Sequence, residues 1–360
     1  MAVESREPSR GAPSSWGRTL PLLRIASLFV IVAGLRATRP VLLPFLVGLF
    51  LTVLSAPVLE GLRRRGVRRS LAILVTFLAV VALVTVVGLM VSGAVVGFVD
   101  NLPRYRDLLT DRYDASVAWL EARSPNVAEW VSPAQLDFES VFDLAGNILS
   151  GTVRGVASAA SFLFMTLIAL LFLLAEASVL PEKLRHAFGE RRDLVEAIGG
   201  VAASTQRYLG IKTAVSLATG LLIAGWTWLL GLEFPLVWGL VAFFLNYIPV
   251  IGSIIAAVPA CLLALAQLGP ARAGLVVLGY LAVNMVLGNV IEPLWMGRGF
   301  GLSPFGVLLS LVFWGWVWGP TGMILSVPLT MILKIILDHT GQLRWLVMLL
   351  AAEPRPVPAD

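Results

Sequence analysis

The sequence predicts an all-α integral membrane protein: a polytopic helical bundle of about eight membrane segments, with two Gly/Pro-broken segments near its C-terminus and a helical extracytoplasmic cap. Three observations carry this. Charged residues are 14% of the 360 and hydrophobic residues 58%, where a soluble domain carries about 25% charged residues. The charges fall in blocks, leaving uncharged runs over 40–59, 71–99, 155–175, 213–232 and 273–291 and two longer ones over 234–271 and 299–333. A helix needs about 20 apolar residues to cross roughly 30 Å of hydrocarbon, and helices satisfy their own backbone groups there. Finally, the polar stretches between the runs alternate in charge.

Taken in order, residues 1–18 are polar, lack the pattern of a cleavable signal, and form the expected cytoplasmic tail. The first three membrane spans occupy 19–99. The first of them is the weakest, because Arg24 has to snorkel to the headgroups. The loop Arg63-Arg64-Arg65-Gly66-Val67-Arg68-Arg69 holds five arginines and is assigned to the cytoplasm. Residues 100–150 carry four Arg against nine acids, which puts this stretch outside. Within it, Leu102, Tyr105, Leu108, Leu109, Tyr113, Val117 and Leu120 recur at helical spacing and predict the cap, fed by a helix projecting from 71–99. The fourth span lies in 151–180. Residues 181–212 hold six Lys or Arg against four acids, and Leu194, Ile198, Val201, Tyr208 and Leu209 share a face, predicting an amphipathic helix at the cytoplasmic surface. The remainder is a membrane core over 213–340 and a cytoplasmic tail over 341–360, so both termini are expected inside. Arg36 and Arg39, in the first outer loop, are a mild exception to the charge rule. Gly93 and Gly97 have the spacing of a close helix-packing pair.

The core contains an internal repeat, 213–271 and 273–337. Each unit has a plain span followed by a long apolar run with a Gly/Pro-rich interruption. The first run reads Pro235 to Gly239, then Asn246-Tyr247-Ile248-Pro249-Val250-Ile251-Gly252 and Pro259; the second reads Pro304 to Gly306, then Trp318-Gly319-Pro320-Thr321-Gly322 and Pro328. Proline inside a helix removes a donor and crowds the preceding turn. Two matched interruptions are costly unless the freed backbone groups serve a purpose, and in secondary transporters they line the substrate and ion path. Each run is either a re-entrant hairpin or a kinked span. The hairpin reading is preferred and gives the two units inverted topology.

The candidate path therefore comprises Asn246, Tyr247, Pro249, Gly252, Asn289, Gly319, Pro320 and Gly322. Glu292 follows an apolar span, and an ionisable group there is a functional candidate by default; Arg298 is its expected partner in ion coupling. On that reading Glu292→Gln removes pH dependence and leaves folding intact. Glu176 and Glu233 read as interfacial, and the Trp314, Trp316 and Trp318 indoles as anchors or packing. His186 and His339 have no metal partner at ligand spacing. There is no P-loop, H-E-x-x-H or G-x-S-x-G, so ATP-driven pumping and hydrolysis lack support, and neither an enzyme nor a cofactor is expected. The net charge of +5 reflects topology-setting arginines rather than a nucleic-acid surface, and the single Cys261 excludes an intrachain disulfide.

Three strings carry a family resemblance: Leu236 to Gly252 (LVWGLVAFFLNYIPVIG), Asn289 to Pro304 (NVIEPLWMGRGFGLSP) and Phe313 to Pro328 (FWGWVWGPTGMILSVP), with Lys334 beyond. In that order and spacing they resemble the autoinducer-2 exporter family of bacterial permeases, most closely over about 205–340. The family usually shows Asp-Gly-Glu at the end of the fourth span, where this chain has Glu176-Ala177-Ser178. The resemblance implies a multispan, homo-oligomeric permease of the bacterial cytoplasmic membrane. It implies export of autoinducer-2 or sodium–proton exchange; joined to the two broken segments, it gives as the leading expectation a secondary exporter of a small polar metabolite or signal such as autoinducer-2, coupled to protons or sodium ions and working by alternating access. Sodium–proton antiport is the alternative within transport. A membrane scaffold with an envelope-facing cap is the alternative outside it.

Overall fold

The computed structural model describes residues 16–123, 156–177, 192–249, 251–296, 302–340 and 348–350, together with 179, 182, 183 and 186. Every element among them is a helix: α1 (Trp16–Ala37), α2 (Arg39–Arg64), α3 (Arg69–Arg123), α4 (Val156–Ala177), α5 (Arg192–Leu229), α6 (Pro235–Leu245), α7 (Ile251–Leu268), α8 (Pro270–Val283), a π-helical segment (Asn284–Ile291), α9 (Glu292–Met296), α10 (Pro304–Trp318) and α11 (Pro320–Thr340). Seven stretches of these helices are long and apolar enough to cross a membrane, one running unbroken from Pro270 to Met296. The all-α polytopic reading holds.

Local chemistry sets the helix ends. Proline stands in the first turn of α2, α6, α8, α10 and α11, where its missing N–H costs nothing. Ser303 caps α10, its Oγ accepting from the Gly306 N–H at 3.0 Å. The α10–α11 turn needs Gly319, whose φ of 70° and ψ of −150° suit glycine alone. Pro320 then starts the next helix. The interruptions fall at 246–249 and at 319, whereas Pro259 and Pro328 lie inside α7 and α11.

The two long apolar runs fold as helical hairpins. In the second, Ser310 lies beside Ser326 and Thr330 while Trp314 lies beside Gly322, so α10 and α11 run antiparallel. Each hairpin places a glycine against a carbonyl of its own first helix. A Cβ on Gly252 would lie 1.8 Å from the Leu245 oxygen, and one on Gly322 would lie 2.1 Å from that of Trp314. Both hairpins share this close approach. The first helices are short: α6 has 11 residues and α10 has 15, about 16 and 22 Å at 1.5 Å per residue.

α5 is the central post. It packs on α2, α6, α8, the π segment, α9 and α11. Its approach to α6 is backbone to backbone, since a Cβ on Gly239 would lie 2.5 Å from the Gly220 oxygen and 2.7 Å from the Ala224 Cβ. Trp226 fills the space that Gly279 leaves open on α8 and donates from Nε1 to the Leu275 carbonyl at 3.0 Å. Burial follows: 44% of the Pro320–Leu337 span lies inside the bundle against 6% of Arg69–Met90. α11 is therefore core and α3 periphery.

Two sequence expectations change. Residues 192–229 form one helix with no break at 212/213, so the stretch 192–212 continues a span instead of lying flat as a separate surface helix; nothing between Lys212 and Thr213 interrupts helical hydrogen bonding. Gly93 faces open space and Gly97 meets only the Phe234 ring, so the close glycine contact belongs to Gly220 and Gly239. Residues 348–350, within the expected tail, lie against the start of α10, where the Ser303 N–H donates to the Leu350 carbonyl at 2.8 Å. The cap helix is seen as the continuation of α3 to Arg123, with residues 124–150 outside the described part.

Candidate functional site

The site grows from one face of α5. Thr205, Tyr208, Lys212, Ser216 and Thr219 recur every three or four residues, and all are buried. Such a polar stripe inside a membrane helix is expensive unless each group finds a partner. Thr219 donates back to the Val215 carbonyl at 2.9 Å. Lys212 reaches across to Glu292, its Nζ 2.6 Å from Oε1, with the side chains only 4% and 15% exposed. A lone buried charge costs several kcal/mol, and a close, hydrogen-bonded opposite charge is what makes this one tolerable.

The backbone ahead of Glu292 explains its aim. Residues 284–291 take π-helical turns, and the Glu292 N–H donates to the Leu287 carbonyl, five residues back. A π turn adds a residue to the helical repeat and rotates the side chains beyond it. Pro293, which can donate no hydrogen bond and crowds the turn before it, suits that wider register. The rotation presents Glu292 to α5. Tyr208 lies within electrostatic reach of both Glu292 and Tyr247.

The turn of the first hairpin docks one helical turn away. Asn246, buried, donates from Nδ2 to the Ser216 Oγ at 2.9 Å. The Tyr247 hydroxyl lies 2.7 Å from the Thr213 Oγ1, and its ring stands edge-on to Phe243. Pro249 is half-buried in the same turn, and Gly252 is buried behind it. Asn246, Tyr247 and Glu292 thus gather on α5, with Pro249 and Gly252 in the turn behind them.

The remaining candidates lie elsewhere. Gly319 sits under Arg39, whose Nη2 would be 3.3 Å from an added Cβ, and the neighbouring Trp318 Nε1 donates to the Leu35 carbonyl at 3.0 Å. Arg36 lies over the Trp316 ring at 5.1 Å. The second turn, with Gly319, Pro320 and Gly322, is therefore held by α1 and α2, and the two arginines that strained the charge rule serve to hold it. Asn289 is on an exposed face of the π segment. Arg298 lies outside the described residues. No group of three or more His, Cys, Asp or Glu suited to a metal occurs among the described residues.

Sequence reasoning missed Lys212. It closed the basic stretch 181–212 and was counted with the cytoplasmic charges. The signal that marks it is the stripe of polar residues at helical spacing running through 212 from 205 to 219. Of the two roles expected for the indoles, anchor or packing, Trp314 takes the second: it is buried and donates from Nε1 to the Thr330 Oγ1 at 2.9 Å. The Thr330 hydroxyl also lies 2.5 Å from the Ser310 Oγ, which contacts the Ser326 carbonyl at 2.8 Å.

At the far end of α5, the Tyr105 hydroxyl on α3 donates to the Glu233 carboxylate. The Glu233 N–H meets the Gln267 Oε1 at 3.2 Å, and its carbonyl accepts from the Trp238 Nε1 at 2.9 Å. Burial, and then the hydrogen bond to Glu233, push the Tyr105 phenol above its usual range. A raised folded-state value means the contact is intact below the ordinary phenol range, near pH 10, and is lost only above it. This contact ties the helix that leads to the cap to the base of the first hairpin.

The AI-2E family transporter model matches residues 25–342. The chain is 37% identical over 320 residues to the AI-2 transport protein TqsA of Escherichia coli K12, covering 89% of this chain and 92% of that one. It is 34% identical over 324 residues to the putative transport protein YhhT of the same organism, covering 89% and 90%. A putative transport protein of Haemophilus influenzae is 34% identical over 333 residues, covering 89% and 92%.

Proposed function

The chain belongs to the AI-2E transporter family, and on that premise we propose that it is a proton-coupled secondary exporter of a small polar metabolite or signal such as autoinducer-2, working by alternating access around α5. The observation that carries this reading is the buried Lys212–Glu292 pair, at 2.6 Å, one helical turn from the docked tip of the first hairpin. Glu292 is the proton site. When it is ionised, the pair locks α5 to the π segment. When it is protonated, the attraction falls away and Lys212 turns to other acceptors. Asn246 and Tyr247, joined to the same stretch of α5, carry that change to the hairpin.

The arginine-rich loop 63–69 supports a cytoplasmic location for the ends of α2 and α3. In that orientation both termini are inside, the first hairpin opens outward and the second inward. A first helix of about 16 Å falls short of a roughly 30 Å layer, which supports the re-entrant form. Autoinducer-2 as cargo is supported by the name of the 37% identical relative. The hydroxyl, amide and phenol groups on α5 and the hairpin suit a solute rich in hydrogen-bonding groups.

The test is efflux of autoinducer-2 from proteoliposomes of the purified chain, with and without an imposed pH gradient. Efflux that rises with the gradient is the expected result. Efflux indifferent to the gradient but driven by Na+ would favour sodium coupling. No efflux from folded, inserted protein would overturn the cargo.

A further inference from the structure

We infer that the Lys212 ammonium is a built-in counter-cation, occupying on Glu292 the place a free alkali ion would take, so that this carboxylate exchanges protons and is closed to Na+. The inference rests on the reading of Glu292 as the coupling carboxylate and adds which ion it accepts.

Charge and space both support it. Between Gly210 and Gly319 the chain holds two carboxylates, Glu233 and Glu292. Glu233 is engaged with Tyr105 at the far end of α5. Glu292 is matched one to one by Lys212, whose nitrogen contacts its oxygen directly with no room for an ion between them at 2.6 Å. Among the described residues, the groups placed by the structure nearest the pair are uncharged at neutral pH. They are Tyr208 on α5 and Tyr247 on the first hairpin, while α2, α10 and α11 pack Phe50, Val53, Val307, Val327 and Met331 around Tyr208. A sodium ion and a proton each add one positive charge to this pair, so size decides between them. Na+ needs room and a shell of oxygen ligands that a 2.6 Å contact does not leave, whereas a proton forms an O–H bond on the carboxylate and leaves Lys212 to turn to other acceptors.

The same geometry predicts what removal of the lysine does. Replacing Lys212 by glutamine leaves a mostly buried carboxylate without its cation, within reach of Tyr208 and with the π-segment backbone before it. Oxygen donors around a net negative charge are what a hard cation seeks. K212Q should therefore acquire a Na+ site that the natural chain lacks.

The experiment is equilibrium binding of radiolabelled Na+ to the purified full-length protein in detergent, near neutral pH. The natural chain is expected to show no saturable binding, K212Q to gain it, and K212Q/E292Q to lose it again. If K212Q survives extraction poorly, Na+ in the buffer should raise its Tm while an organic cation of equal strength should not. Saturable Na+ binding by the natural chain that E292Q abolishes would overturn the inference, as would a K212Q protein neither bound nor stabilised by Na+. Because the readout is binding and not flux, these outcomes are separate from success or failure of the efflux test.

Discussion

The two hairpins share a plan and spend their polar groups differently. In α6–α7, the side chains of Asn246 and Tyr247 bond outward to Ser216 and Thr213 on α5. In α10–α11, Ser310, Trp314 and Thr330 bond to one another across the hairpin. The first hairpin is thus chemically committed to α5, and the second is sewn to itself. Against α5 the second presents Val327 and Met331, packed on Tyr208 and Leu209. Apolar contacts are non-directional and tolerate sliding, whereas hydrogen bonds fix register. The two hairpins thus offer α5 one polar and one apolar contact surface.

The largest effect should come from separating the charges that the first hairpin neighbours. K212Q or E292Q alone strands a buried charge, at a cost of about 3–5 kcal/mol, visible as a sharply lower Tm in detergent. K212Q/E292Q should recover most of that loss. The expectation from sequence that Glu292→Gln leaves folding intact is revised accordingly, because it did not include Lys212. Equal Tm for the single and double variants would remove the pair from the comparison.

Next in size are the hairpin glycines. G252A and G322A each drive a methyl group into a carbonyl oxygen, with unrelaxed separations of 1.8 and 2.1 Å. Overpacking of this kind costs about 1–3 kcal/mol or more. Both should lower Tm, and G252A should also shift the pH profile of efflux, since its hairpin touches α5. A pH shift from G322A alone would reverse the assignment of the two hairpins.

T330V tests the self-sewn hairpin. It removes the partner of the Trp314 indole, at about 1–3 kcal/mol for an orphaned buried group, and should reduce Tm without moving the pH profile. The smallest effect belongs to Y247F, which deletes one hydrogen bond worth about 0.5–1.5 kcal/mol. Tm should hardly change, and the maximal efflux rate should fall several-fold. An unaltered rate would detach the first hairpin tip from transport.

Much of this architecture was legible in the residues. Uncharged runs longer than a bilayer crossing specify helices whatever their partners, and the paired Gly/Pro interruptions marked where those helices break while leaving hairpin and kinked span both open. Gly252 and Gly322 were read as path residues; that each is pressed against a carbonyl of its own hairpin is visible only in the fold. The pairing of Glu292 was not legible. Its partner is 80 positions away, and which neighbour it meets depends on how a π turn rotates the chain. Lys212 was hidden by the same logic that set the topology: a lysine at the edge of a basic block reads as cytoplasmic until the helix is seen to run through it. Arg36 and Arg39 offered the opposite clue, since charges that break the loop rule have another task, here above Trp316 and Gly319.

The central claim is that proton coupling runs through the Lys212–Glu292 pair, and the most direct measurement is the pH profile of autoinducer-2 efflux for the natural chain beside K212Q/E292Q, both reconstituted at matched density. Coupling through the pair predicts gradient-stimulated efflux for the natural chain and a slower, gradient-insensitive leak for the neutral double variant. Full gradient stimulation in the double variant would contradict it and move the proton site away from α5.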